Sequence, residues 1–335
     1  MKDIKRWLPG VLISIILIAA ILSFVDLPKM VAAIRSADYR ILAVALFFAF
    51  AWLYVRAVVW RTLLRERAPY WEVFHSLNIG YLLNAFLPFR LGELGRAYVL
   101  SLKSDMKFVE ILPTIVIERS MDLAITAAIF LSSLPFVVGA KGADSIAIAL
   151  GVLVVLGLLF LFILAKNDQW ALDMFHRLSA RWPSIQRFGG SILESFLTGL
   201  GVLTDGWLFA RFMFWILLNW AMSIATFYLA LHAFFPQAQW VWAFFGLGAG
   251  AAGNAVPSAP GAVGTYEGAL GGALTLLSGD RSTSLAVALT SHLFNYLTAI
   301  ILGGYALIRD GQSLSGIYRQ LIAFRTKASK DDPAL

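Results

Sequence analysis

Along this chain, long apolar runs alternate with short clusters of charge. Six runs, at roughly 8–25, 41–64, 109–136, 145–165, 207–234 and 284–308, reach the ~20 residues that a helix rising 1.5 Å per residue needs to cross a bilayer. Two further stretches, 74–101 and 241–277, are apolar but interrupted midway by an Asn, a Pro and paired glycines. Neither reads as one continuous helix, because Pro removes a backbone donor and clashes with the preceding turn. The pattern predicts an all-α polytopic membrane protein with about six spanning helices and two re-entrant helical hairpins.

Composition sharpens this picture. The 335 residues are 59% apolar and 14% charged, against about 25% charged in soluble chains, which argues against a soluble enzyme. The net charge of +7 is spread over the ends of apolar runs and not gathered in a basic domain, so it points to the cytoplasmic membrane face and not to nucleic acid. No cysteine is present, which excludes disulfides, thiolate metal sites and cysteine nucleophiles. Four isolated histidines offer no metal site, and no cofactor is expected. Lys2 to Arg6 followed by an apolar run to Val25 resembles a signal peptide, but the run exceeds an ordinary h-region and reads as an uncleaved first helix.

If both interrupted stretches leave the membrane on the side they entered, and the N-terminus is inside, eighteen Lys and Arg fall on the inner face. Only Lys29, Arg35, Arg40, Lys141 and Arg281 fall on the outer face. That bias supports cytoplasmic termini in a bacterial or archaeal inner membrane. The interrupted stretches also match each other. Asn84-Ala-Phe-Leu-Pro88-Phe-Arg-Leu-Gly92-Glu-Leu-Gly95 and Asn254-Ala-Val-Pro257-Ser-Ala-Pro-Gly261-Ala-Val-Gly264 both read Asn-Ala, then Pro-x3-Gly-x2-Gly. One dips in from inside and the other from outside, as expected of an inverted repeat, and such paired interruptions mark a transporter's central site. The expected organisation is a single membrane domain: a first repeat at 41–137, an amphipathic cytoplasmic insertion at 166–205, a second repeat at 207–308 and a basic tail at 309–335. In the insertion, Phe175, Leu178 and Trp182 are expected to share an apolar face.

Charge within membrane depth costs about 2.5 to 3.5 kcal/mol per residue on insertion scales, so such residues are candidates for function. Three clusters qualify: Arg90, Glu93 and Arg96; Glu118, Arg119 and Asp122; and Gly261, Gly264, Tyr266 and Glu267. Arg56 and His292 are lesser candidates, each with a polar neighbour in its own span (Arg61, Asn295). Arg56, Arg90, Arg96 and Arg119 balance Glu93, Glu118, Asp122 and Glu267. A structural ion-pair network and a substrate path both require such neutrality.

The motifs Asn-x3-Pro-x-Arg-x-Gly-Glu-x2-Arg at 84–96, Ile-Glu-Arg-x2-Asp at 117–122 and Pro-Gly-x2-Gly-x2-Glu at 260–267 resemble the lysylphosphatidylglycerol synthase transmembrane, or flippase-like, family over about residues 10–310. Ala262 departs from the usual Pro-Gly-Gly, and His292 and Asn295 stand near where many relatives carry an Arg. Nothing resembles the soluble aminoacyl-transferase portion, so lipid aminoacylation is not implied. The resemblance implies movement of a polar lipid between leaflets without enzymatic chemistry. Its partner would be a phospholipid or a polyprenyl-phosphate-linked lipid. Arg90, Arg96 and Arg119 would meet the phosphate, with Glu93, Glu118, Asp122 and Glu267 orienting them or engaging a cationic headgroup. Asn84, Asn254 and the glycines would serve the unwound backbone. An ion- or proton-coupled solute transporter and a membrane enzyme modifying a lipid headgroup are the alternatives.

Overall fold

The computed structural model describes residues 25–87, 91–138, 162–180, 204–256 and 260–313, with isolated positions between 152 and 202 and at 316–317. The expected first span, much of the 145–165 span, Pro88, Arg90, Pro257 and the basic tail beyond 317 lie outside the described residues.

Among the described residues every regular element is helical. Helices α1 (Leu27–Ser36) and α2 (Tyr39–Leu63) start at Asp26 and Asp38, whose carboxylates accept from the N–H groups of Lys29, and of Arg40 and Ile41. These caps satisfy amides that a first turn otherwise leaves bare. Helices α3 (Tyr70–Phe86) and α4 (Gly92–Ser101) are the two arms of the first interrupted stretch. After them come α5 (Phe108–Val138), α6 (Asp168–Ser179) and α7 (Gly206–His232). The second interrupted stretch forms α8 (Trp240–Ala255), a 3-10 turn at Pro260–Ala262 and α9 (Thr265–Ser278). The chain closes with α10 (Arg281–Thr298), a π turn at Ala299–Gly303 and α11 (Gly304–Arg309), which run as one rod.

Four of these elements are long and apolar enough to cross a membrane: Tyr39–Leu63, Phe108–Val137, Gly206–His232 and the Arg281–Arg309 rod. The interrupted stretches instead fold back, α3 against α4 and α8 against α9. The reason is local. A Cβ on Gly92 would fall 1.9 Å from the Gly80 carbonyl oxygen, so only glycine lets the two arms touch backbone to backbone. Asn84 Oδ1 accepts the Gly92 N–H at 2.8 Å, which replaces a hydrogen bond lost at the break.

Several apolar clusters hold these elements. One joins Leu53, Ala57 and Trp60 of α2 to Leu77 of α3, Leu100 of α4 and Ile111 and Ile115 of α5. A second packs Val59, Ile117 and Phe212 with Leu197 and Leu200. A third sets Phe227 and Leu231 of α7 against Tyr266, Leu270 and Leu274 of α9 and Val287 of α10. In α6, Ala171 and Ser179 turn inward and Phe175 is half-buried, whereas Leu178 points out with Trp170 and Met174.

Candidate functional site

The motif charges converge beside the first break. Glu118, midway along α5 and fully buried, faces three guanidinium groups. Arg56 of α2 donates from Nη2 to Glu118 Oε1 and to Asp122 Oδ2, both at 2.5 Å, and from Nη1 to Asp122 Oδ1 at 2.9 Å. Arg96, one turn into α4, reaches Glu118 at 3.1 and 3.3 Å and Glu93 at 2.8 Å. Arg119 reaches Glu118 at 2.5 Å, Asp122 at 3.2 Å and Glu93 at 3.9 Å. Trp60 closes the apolar side, its ring 4.6 Å under the Arg96 guanidinium and its indole N–H on Thr114 Oγ1 at 3.0 Å.

Among the described residues, three arginines and three carboxylates thus cancel within one cluster. That neutrality makes burial tolerable, since an unpaired charge in an apolar interior is prohibitive. The cluster is graded in exposure: the Glu118 side chain is 0% exposed, Asp122 16%, Glu93 20% and Arg119 31%. Glu93 and Arg119 therefore form its open edge. On each of Arg56, Arg96 and Arg119 the Nε–H is buried with no protein acceptor.

Glu267 and His292 lie apart from this cluster, on α9 and α10. Glu267 Oε1 sits 2.6 Å from His292 Nδ1, while Oε2 accepts the Gly264 N–H at 2.7 Å. Tyr266 packs on the His292 ring with centroids 4.7 Å apart. Of the eight residues whose charges were expected to balance, six gather in the cluster and Glu267 sits apart beside a histidine, while Arg90 lies outside the described residues. Gly261 has φ 70° and Gly264 φ 89°, a backbone bend that carries the chain from the 3-10 turn into α9. The two breaks touch there: a Cβ on Gly261 would lie 1.9 Å from the Tyr296 hydroxyl and 3.1 Å from the Ala85 carbonyl oxygen at the end of α3. Asn254 is half-buried near the end of α8.

Residues 7–303 match the family described as lysylphosphatidylglycerol synthase TM region. The chain belongs to this family. As a lysylphosphatidylglycerol synthase transmembrane-region protein it is an integral membrane protein with several apolar helices. One curated relative is named glycosyltransferase AglD, from Haloferax volcanii; it is 22% identical over 342 residues, which cover 91% of this chain and 54% of that protein. The chain therefore spans about half the length of the relative it matches. No solved structure matches it.

Several partners of the family motifs escaped the sequence reading. Asn219 of α7 accepts from Arg56 Nη1 at 3.3 Å and donates to the Trp52 carbonyl at 3.1 Å, and Trp220 donates to Asp122 at 3.2 Å. An Asn in the middle of the 207–234 run was the available signal. Arg61, the expected neighbour of Arg56, instead donates to the Ala68 carbonyl at 3.1 Å in the α2–α3 loop. There Arg211 donates to Glu66, and its guanidinium holds that carboxyl below the ordinary range. At the foot of the rod, Arg309 meets His75 and Glu72, and Lys103 joins Glu72 to Asp310.

Proposed function

We propose that this chain moves a polar, phosphate-bearing lipid or polyprenyl-linked lipid between the leaflets of the inner membrane, with Arg96 and Arg119 as the first phosphate contacts. The observation that carries the reading is the set of unused donors: three buried arginine Nε–H groups beside a cluster whose charges already cancel. A guanidinium binds phosphate through paired donors and keeps its charge when dehydrated. In a neutral cluster an anion enters by displacing a carboxylate, and Glu93 is the most exposed of the three. In this reading the two folded-back pairs are re-entrant halves of an inverted repeat at 41–137 and 207–308. Asn84, Asn254, Gly261 and Gly264 line the passage, and the lipid tails stay in hydrocarbon while the headgroup exchanges hydration for the cluster. Family membership and the meeting of the two breaks support it.

The test is reconstitution into liposomes with labelled phospholipid and, separately, labelled polyprenyl-phosphate lipid. Transbilayer movement above empty liposomes is expected for at least one, with at least about a tenfold loss in Arg119→Gln, the size of one charged hydrogen bond. Rates equal to empty liposomes for both lipids overturn the reading.

A second reading, a membrane enzyme acting on a lipid headgroup, is favoured by the name of the glycosyltransferase relative. Glu118 and Glu93 would then be its acid and base. A new lipid product from labelled lipid in detergent would select it.

A further inference from the structure

Helix α2 ends on a turn that glycine ordinarily builds. The Glu66 N–H donates to the Arg61 carbonyl and the Arg65 N–H to the Thr62 carbonyl, both at 3.0 Å. This pair of bonds closes a helix through a left-handed residue, a place that glycine usually fills. Here Arg65 has φ 51° and Glu66 φ 59°, so two residues with side chains stand where a Cβ crowds the carbonyl oxygen. The helix dipole favours a basic residue in the last turn, but Arg61 already supplies one. The strained backbone therefore points to a use for the side chains themselves.

Those side chains belong to a basic cluster. Arg211 of α7 donates to Glu66 Oε1, and the other carboxylate oxygen of Glu66 lies 3.7 Å from Arg61 Nη1. Arg65 lays its guanidinium on the turn before α7, for a Cβ on Gly201 would fall 3.0 Å from Arg65 Nη2. Leu63, Leu200 and Phe212, which are chain neighbours of Arg65, Gly201 and Arg211, pack in one apolar cluster and gather the three on its rim. Among the described residues, Glu66 is the only carboxylate paired with these guanidinium groups, so three positive charges meet one negative charge. Arg65 is exposed and Arg61 and Arg211 are half-buried, which leaves them open to an arriving ion.

We infer that Arg61, Arg65 and Arg211 form a second phosphate-binding site, where α2 stops and α7 starts. Arg65 is nine residues beyond Arg56, or roughly 13 Å of helix, which separates this site from the cluster on Glu118. A phosphate monoester brings nearly two negative charges and three acceptor oxygens, which match the surplus, and each guanidinium offers it paired donors. Unlike the neutral cluster, this one takes up an anion without giving up a carboxylate. The phosphate is that of a lipid headgroup or of a free ion, and the site does not rest on the translocation reading.

The chain has no cysteine, so Trp207→Cys, on the exposed start of α7 one helical turn before Arg211, carries an environment-sensitive dye beside the site. The full chain in an uncharged detergent is titrated with short-chain phosphatidic acid and, separately, with inorganic phosphate. A saturable dye response is expected to at least one: to the lipid alone if the ligand is a headgroup, to inorganic phosphate as well if the free ion suffices. In Arg65→Gly the affinity is expected to fall at least about tenfold, as for a lost charged hydrogen bond. The unfolding temperature of that variant is expected to rise by about 1 to 2 °C, because glycine takes the left-handed turn without strain. Arg65→Asn, also at ease in that conformation, repeats the measurement if the glycine variant does not fold. No saturable response to either probe, or an unchanged affinity in the folded Arg65 variants, overturns the inference. A response lost in Arg119→Gln and kept in Arg65→Gly places the binding at the Glu118 cluster, which overturns the second site and leaves the translocation reading standing.

Discussion

At the first break, between α3 and α4, charge among the described residues is carried by three guanidinium groups and three carboxylates drawn from α2, α4 and α5. At the second, between α8 and α9, it is carried by one carboxylate and one imidazole from neighbouring helices, and the strain lies in the backbone, with Gly261, Ala262 and Gly264 all at positive φ. The first arrangement is shared, so removing any member leaves its neighbours unbalanced. The second is local. Two segments that share the Pro-x3-Gly-x2-Gly spacing therefore hold a break by different means: one by an electrostatic lattice, the other by a carboxylate cap on its own backbone.

The sharpest way to break this comparison is to remove Glu118. Its loss leaves three guanidinium groups facing two carboxylates in a buried site, so Glu118→Gln is expected to cost about 3 to 5 kcal/mol, the usual penalty for orphaning a buried charge. Thermal unfolding in one fixed detergent measures it; a loss under about 1 kcal/mol would mean that water relieves the arginines. Next comes Gly92→Ala, where the new methyl meets the Gly80 carbonyl. Overpacking there should cost about 1 to 3 kcal/mol, whereas Gly272→Ala, with nothing within 4 Å of its Cβ position, should stay within about 1 kcal/mol of the parent. Equal effects from the two would show that the α3–α4 contact is not the constraint.

Glu267→Gln should be milder than Glu118→Gln, at about 1 to 2 kcal/mol, because the amide oxygen still accepts from Gly264 and only the ionic part is lost. A cost matching that of Glu118 would erase the distinction between shared and local charge. The smallest expected change is a gain. Ala262 sits at φ 56°, where a Cβ costs about 1 to 2 kcal/mol, so Ala262→Gly should raise stability by about 1 kcal/mol after the flexibility of glycine is discounted. Unchanged unfolding would place the strain elsewhere in the turn.

The sequence made some of this legible and not the rest, for reasons that follow helix geometry. Spacing within one helix is readable, so Glu118 with Asp122 and Glu93 with Arg96 emerge as neighbours at i+4 and i+3. The register between helices is not. Nothing local pairs Arg56 with Glu118, 62 residues on, or Arg56 with Asn219, 163 residues on. Glu267 and His292 each stood out as an ionisable group at membrane depth, but their pairing depends on how α9 packs on α10. Proline and glycine marked the breaks because their backbone chemistry acts where they stand.

The π turn at Ala299–Gly303 inserts one residue more than an α-helical turn holds, which offsets everything beyond it by about 100° around the axis. Before it, His292 addresses α9; after it, Arg309 addresses Glu72 and His75 at the foot of α3. The turn is seated against α3, for a Cβ on Gly303 would lie 2.6 Å from the Asn78 carbonyl oxygen. It acts as a keyed joint in a shaft, fixing the angular phase between two couplings on the same rod, and deleting a single residue within it would re-index the far coupling while leaving the near one in place.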